Sequence, residues 1–318
     1  MSDLDKISGV DVSGIGKVLG INAEDIGKVL GIDWVHLIPR GIFAGGNTSS
    51  TTIDYVTIAT TGNATDFGDL TVSRYLIAAC SSSTRGLFAG GYLFAGGYYT
   101  KRIAYVTIAT TGNATDYGDL TISRHGLAGL SSSTRGLFGG GYHSNVIDYV
   151  TIATTGNATD FGDLTVSRYF IAACSSSTRG LFAGGYGSSL VNIIDYVTIA
   201  TTGNATDYGD LTISRHGLAG LSSSTRGLFG GGNYINIIDY VTIATTGNAT
   251  DFGDLTVSRY LIAACSSPIR GVFGGGSGLV NIIDYVTIAT TGNATDFGDL
   301  TVLRNGLAGL SNGHGGLL

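Results

Sequence analysis

From Arg40 onward, apolar residues come in short runs closed by Gly, Ser, Thr or Asn, and one block of four such runs returns six times. In one block the runs are RGLFGGG (Arg135 to Gly141), IDYVTIAT (Ile147 to Thr154), ATDFGDLTV (Ala158 to Val166) and RYFIAACSS (Arg168 to Ser176). Each is strand-length and rich in β-branched and aromatic residues, so each block predicts four β-strands. Tyr149, Val150 and Ile152 make both faces of a strand apolar, as a sheet covered on both sides requires. TGN (Thr155 to Asn157) reads as a tight hairpin, because Gly and Asn tolerate positive φ.

The second Asp of the GDL motif marks the register at Asp69, Asp119, Asp163, Asp210, Asp254 and Asp299, with spacings of 50, 44, 47, 44 and 45 residues. That period is a propeller blade's, and one such unit cannot bury enough surface to offset its chain entropy. The expected fold is therefore all-β: a six-bladed propeller over residues 40–318, preceded by a separate segment, residues 1–39. The repeats open with the RGIFAGG strand at Arg40 and finish with a strand of the fourth type, RNGLAGLS (Arg304 to Ser311). The latter is expected to complete the first blade and close the ring, with WVHLIP (Trp34 to Pro39) as competitor for the same slot. A second period overlies the first. Odd copies read RY(L/F)IAAC and even copies R(H/N)GLAGL, which predicts near-threefold symmetry.

Residues 1–39 repeat every 11 positions: DKISGVD, GKVLGIN and GKVLGID. Ile15, Val18, Leu19, Ile26, Val29 and Leu30 would form one helical face, with Gly20 and Gly31 as C-caps of short helices and Asn22 as an N-cap. Turns this short are not stable alone, so the face is expected to attach to a partner or to copies of itself.

Composition narrows the function. Charged residues are 13% of the chain and the net charge is −6, with no basic stripe, so nucleic acid is not an expected partner. Neither a signal peptide nor a membrane-spanning run is read, so no membrane insertion is expected. Cys80, Cys174 and Cys265 share one context and read as small buried apolar residues.

Catalysis needs different groups converging at one place, whereas these blocks offer the same groups six times. His36, His125, His143, His216 and His314 show no metal-ligand spacing, and no metal or cofactor is expected. The paired carboxylates of TDFGDL read as turn formers bonded to the recurrent Arg of TRG or SR, with Ca²⁺ between blades as the competing use. What varies is the loop after each Gly pair. It is rich in Tyr, Asn, Ser and Gly, the mixture of rigid aromatic and adaptable polar groups found on binding surfaces. The candidate binding residues are Tyr92, Tyr98, Tyr99, Lys101, Arg102, Tyr142, His143, Asn145, Tyr186, Asn192, Asn233, Tyr234, Asn236 and Asn281.

RHGLAGLSSSTRGLFGGGYHSNVIDYV (Arg124 to Val150) resembles a kelch repeat: a basic residue before a small-residue strand, apolar residues ending in a Gly pair, a variable loop, then a Tyr-containing strand. The TIATTGNATDFGDLT units resemble kelch-like propellers among virion structural proteins of tailed bacteriophages, some of which begin with short repeats like IGKVLGI. The resemblance implies a non-enzymatic particle component or adhesin-like protein on a virion. Its implied partners are other virion proteins or itself through residues 1–39, and a host-surface glycan or protein. A multivalent glycan-binding lectin is the alternative. Removing residues 1–39 is expected to leave a folded ring that no longer assembles, read by circular dichroism and size-exclusion chromatography; loss of the fold, or unchanged assembly, would contradict that division of labour.

Overall fold

A computed structural model describes residues 39–47, 50–278 and 280–317, together with the backbone of four two-residue strands near the N-terminus. The chain is all-β. Six four-stranded antiparallel sheets form a propeller-like arrangement, and among the described residues no helix is long and apolar enough to cross a membrane. Sheet 3 is typical. Its inner strand Ala128–Ser131 pairs with Arg135–Gly139, which pairs with Val146–Thr151, which pairs with the outer strand Thr159–Asp163. In sheet 1, the inner strand on Arg40–Ala44 is Ala308–Ser311, from the far end of the chain. WVHLIP lies outside the described residues apart from Pro39, whose carbonyl accepts from Ile58 N.

Neighbouring sheets share apolar side chains: Phe138 of sheet 3 packs in one cluster with Leu87 and Ala89 of sheet 2. Hydrogen bonds also run from sheet to sheet. The hydroxyls of Ser81, Ser131, Ser175, Ser222, Ser266 and Ser311 each donate to the carbonyl of the preceding serine in this series, at 2.5–2.8 Å, and Ser81 donates to Ser311. A second circuit uses backbone alone: Leu76, Gly126, Phe170, Gly217, Leu261 and Gly306 are linked N–H to O=C at 2.6–2.9 Å, and Leu76 N returns to Gly306 O. All six residues have φ between 56° and 67°.

That second circuit explains the alternation of copies. Left-handed φ is free for Gly but costs about 1–3 kcal/mol for Leu or Phe. Yet a Cβ on Gly126 would press on the Phe170 ring at 2.9 Å, and one on Gly306 on Leu76 at 3.1 Å. Large and absent side chains must therefore alternate. The same holds one turn away, where a Cβ on Gly129, Gly220 or Gly309 would overlap the carbonyl of Ala79, Ala173 or Ala264.

Between sheets, the crossover arginines are clamped. Arg74, Arg124, Arg168, Arg215, Arg259 and Arg304 are at most 1% exposed. Arg168 donates to the carbonyls of Ile193 and Phe182 and to Asp195 at 3.0 Å, and Thr165 binds the same carboxylate through its amide and hydroxyl. Equivalent ion pairs join Arg124 to Asp148, Arg215 to Asp239, Arg259 to Asp284 and Arg304 to Asp54. The arginine of TRG works differently: Arg135 stacks over Tyr149 at 4.5 Å and donates to the carbonyls of Ile199 and Ala200 in the next sheet.

Three readings need correction. The buried arginines pair with the Asp of IDY and not with the carboxylates of TDFGDL, because the IDY carboxylate faces the interior while Asp66, Asp160 and their equivalents are exposed. TGN is no tight hairpin: the connection from Thr151 to Thr159 reaches across to the preceding sheet. There Gly156 N donates to Tyr117 O, Ala158 N to Asp119 O, and Asn157 Oδ1 accepts from Asp119 N at 3.0 Å. All six copies repeat this clasp, so NAT is an inter-sheet fastener. Near the N-terminus, Lys17–Val18 pairs as a strand with Ile21–Asn22, and Lys6–Ile7 with Val10–Asp11, where a helix through Val18 was expected. The glycine in each repeat costs a helix about 1 kcal/mol. Ile15, Leu19, Ile26, Val29 and Leu30 lie outside the described residues.

Replacing Asp195 with Ala leaves Arg168 buried without its carboxylate and is expected to destabilise the protein by roughly 3–5 kcal/mol. Denaturant unfolding measures this, with the exposed Asp207→Ala as a control expected to change little.

Candidate aromatic binding face

The residue after each crossover arginine is Tyr75, His125, Tyr169, His216, Tyr260 or Asn305, and the residue after each Gly pair is Tyr92, Tyr142, Tyr186, Asn233, Ser277 or Asn47. The backbone stitches one series to the other. Tyr142 N donates to His125 O, Tyr186 N to Tyr169 O, Asn233 N to His216 O, Ser277 N to Tyr260 O and Asn47 N to Asn305 O. In sheet 2 (Ala78–Ser81, Arg85–Ala89, Arg102–Thr107 and Thr115–Asp119) the long loop of residues 92–101 goes further and forms a small three-stranded sheet, Tyr98–Tyr99, Tyr92–Leu93 and Arg74–Tyr75.

Because this stitching recurs, the side chains of successive copies meet. Tyr75 stacks on Phe94 at 4.8 Å and meets Tyr92 edge-on at 5.4 Å. Tyr99 lies 4.5 Å from His125, which stacks on Tyr142 at 5.2 Å. Tyr142 contacts His143 and Tyr169; Tyr169 contacts Tyr186; His216 touches Tyr186 and Tyr260; and Tyr260 meets Tyr234 at 5.3 Å. The arc runs from Tyr75 to Tyr260. It is interrupted in sheet 1, where Asn47 and Asn305 face each other instead, Asn305 N donating to Asn47 Oδ1.

Burial grades the rings. His125 is buried, Tyr142 and Tyr186 are half-buried, and Tyr234 is 66% exposed. Burial pushes His125 down to about 4 and also lowers His216, so both imidazoles are neutral at neutral pH. Burial pushes Tyr260 up to about 12, with Tyr234 and Tyr169 adding to it, so the hydroxyl remains a donor. The face is thus uncharged, aromatic and edged with hydroxyls, the composition of a surface that takes a ligand with both apolar and hydrogen-bonding parts.

The structure divides the residues expected in the binding loops. Tyr92, Tyr99, Tyr142, His143, Tyr186 and Tyr234 join the arc, and Asn233 is exposed beside Tyr234. Tyr98 is 61% exposed at the tip of the long loop. Lys101, Arg102, Asn145, Asn192, Asn236 and Asn281 do not belong to the arc. They lie at or just before the start of the third strands, where the Asn145, Asn192, Asn281 and Lys101 carbonyls accept from the GDL leucines, and Lys101 pairs with Asp119 at 3.2 Å. Tyr75, Tyr169, Tyr260, His125 and His216 are not among the residues that the variable loops single out. Their invariable position after the crossover Arg was the available signal.

Elsewhere, Cys80, Cys174 and Cys265 are buried free thiols held protonated by burial. Each Sγ lies where a Cβ on Gly136, Gly227 or Gly41 would sit. His314 lies at the axis, its Nε2 3.2 Å from Ser81 O and 3.3 Å from Ser131 Oγ, followed by a short 3₁₀ turn, Gly315–Leu317. Among the described residues, no three His, Cys, Asp or Glu side chains converge as a metal site would require. No protein-family model matches the sequence, and no curated protein matches it.

An unfolded histidine binds its proton near pH 6.5, but folded His125 does so only near 4. Between those values the unfolded state takes up the extra proton, so stability falls as pH drops from about 6.5 towards 4. His125→Gln is expected to shrink the loss of melting temperature between pH 7 and pH 4.5; an undiminished loss would show that this imidazole stays solvated.

Proposed function

We propose that this protein is a non-enzymatic recognition module: a closed, six-bladed kelch-like propeller that binds its ligand on the aromatic face and is held to a larger assembly through residues 1–39. The observation that carries this reading is the continuous arc of rings from Tyr75 to Tyr260, assembled from the parts of the repeat that differ between copies. The repeated polar groups have other work. The crossover arginines, the IDY aspartates, the NAT asparagines and the inner serines are all engaged in scaffold hydrogen bonds. That distribution fits a binding surface on an invariant support better than a catalytic centre.

Closure as a six-bladed ring is supported by the serine circuit, which returns to its start, and by the pairing of Ala308–Ser311 with Arg40–Ala44. The likeness of TIATTGNATDFGDLT to repeats of tailed-phage virion proteins is what favours a particle-displayed, receptor-binding role. In that role residues 1–39 contact other virion proteins or copies of themselves, and the face meets a host-surface glycan or protein. Neither nucleic acid nor membrane insertion is part of the reading.

A lectin-like variant is favoured by one specific feature: half-exposed tyrosine rings next to amide and hydroxyl donors suit the apolar face and hydroxyls of a sugar ring. Tyr142→Ala and Tyr234→Ala are expected to reduce binding at least tenfold on a glycan array while leaving the melting temperature within a few degrees, since the two rings are half-buried and exposed. Electron microscopy of native particles is expected to find the propeller on a virion, and its absence there would remove the particle assignment.

A further inference from the structure

One crossover arginine lacks the carboxylate that its five counterparts share. Arg74 is 0% exposed, and its Nη2 donates to Phe88 O at 3.1 Å as Arg124 Nη2 does to Phe138 O at 3.0 Å, so the two guanidiniums are oriented alike. The second Nη2 proton of Arg124 goes to Asp148 at 2.9 Å. In sheet 2 the equivalent position is Ala104, itself 1% exposed. Arg74 Nη1 donates to the carbonyls of Gly90 and Arg102, and no acidic side chain among the described residues forms an ion pair with it.

Thr71 is left in the same way. Thr121, Thr165, Thr212, Thr256 and Thr301 each give a hydroxyl at 2.6–2.7 Å and an amide at 3.1–3.3 Å to the IDY carboxylate. Thr71 makes no such bond among the described residues. Ser73, beside Arg74, also has a buried hydroxyl without a partner. A buried cation without a bonded carboxylate is strongly unfavourable: burial and, less strongly, Arg102 lower the Arg74 pKa to about 10, against a smaller opposing pull from Asp116.

We propose that sheet 2 binds a monocarboxylate of formate size between Arg74 Nη2 and the amide and hydroxyl of Thr71. The ligand accepts from the same donors that the Asp carboxylate engages in the other five sheets, displaced outward from Ala104 by van der Waals contact with its Cβ. The chemistry is set by three convergent donors arranged for a carboxylate, and the size is set by what Asp has and Ala lacks. Thr71, Arg102, Asp116 and Asp119 line an open depression at the surface; Arg74 and Ala104 are at most 1% exposed, so entry from there requires the Thr71 side chain to swing aside. Asp119 there is paired with Lys101, while Asp116 is exposed and disfavours multiply charged anions. This inference is independent of what the aromatic face binds.

Thermal unfolding of the full chain, titrated with sodium formate at constant ionic strength, tests it. The expected result is a saturable rise of roughly 2–4 °C, with one formate bound per chain by calorimetry. Ala104→Asp supplies the carboxylate within the chain, and is expected to melt higher than the wild type without formate and to lose the saturable response. Benzoate, too large for the place of one carboxylate, is expected to have no saturable effect. No rise in the wild type, an equal response in Ala104→Asp, or the same saturable rise with chloride would overturn the proposal.

Discussion

The close approach of six inner strands to a common axis is the constraint on which the rest of the structure depends. Around that axis a side chain can occupy a given level in one sheet only if its neighbour leaves room, and the backbone must supply its own hydrogen bonds there. The chain answers with alternation. Leu76, Phe170 and Leu261 accept left-handed φ; the Phe170, Tyr260 and Leu76 side chains fill the space over Gly126, Gly217 and Gly306, while Ala79, Ala173 and Ala264 put carbonyls against Gly129, Gly220 and Gly309. A pair of sheets is therefore the smallest self-consistent unit, and the two kinds of inner strand are complementary in size.

Once the inner strands are set, the wedge between adjacent sheets widens outward and different contacts fill it. Buried arginines tie each crossover to the sheet that follows, the TRG arginines stack on tyrosine and reach the next sheet, and the NAT loops clasp the outer strand of the sheet before. A buried ion pair is not in itself a strong source of stability, but removing one partner is costly. The arginine also takes up backbone carbonyls near the end of the second strand and at the start of the third, so it fastens the loop that carries the aromatic residues. The aromatic face is thus positioned by the same guanidiniums that hold the crossovers.

Much of this was legible beforehand. The four strands of each block were readable from their apolar runs, and the copy-to-copy alternation from RYLIAAC against RHGLAGL. The variable loops could be singled out because everything around them was constant. Less legible were the roles of polar residues. Asp148 and Asp160 are both acidic, both in strands and opposite each other across the register; Asp148 is buried because the crossover residues Thr121 and Arg124 close over its carboxylate, and Asp160 stays exposed. Asn157 looked like a local turn residue because its partner, Asp119, is separated from it by 38 positions.

The N-terminal repeats show the limit of periodicity alone: an 11-residue spacing fits helical turns, but Lys17–Val18 and Ile21–Asn22 pair as strands. The sequence by itself determined the all-β class, the repeat number, the strand composition and the burial of the three cysteines, because these follow from local patterns of side-chain size and polarity. Only the tertiary structure decided which carboxylate meets which arginine, that the asparagine loops fasten neighbouring sheets, and that rings from five copies join in one arc. Those outcomes rest on contacts between residues far apart in the chain, whose distances are set by how the sheets pack about the axis.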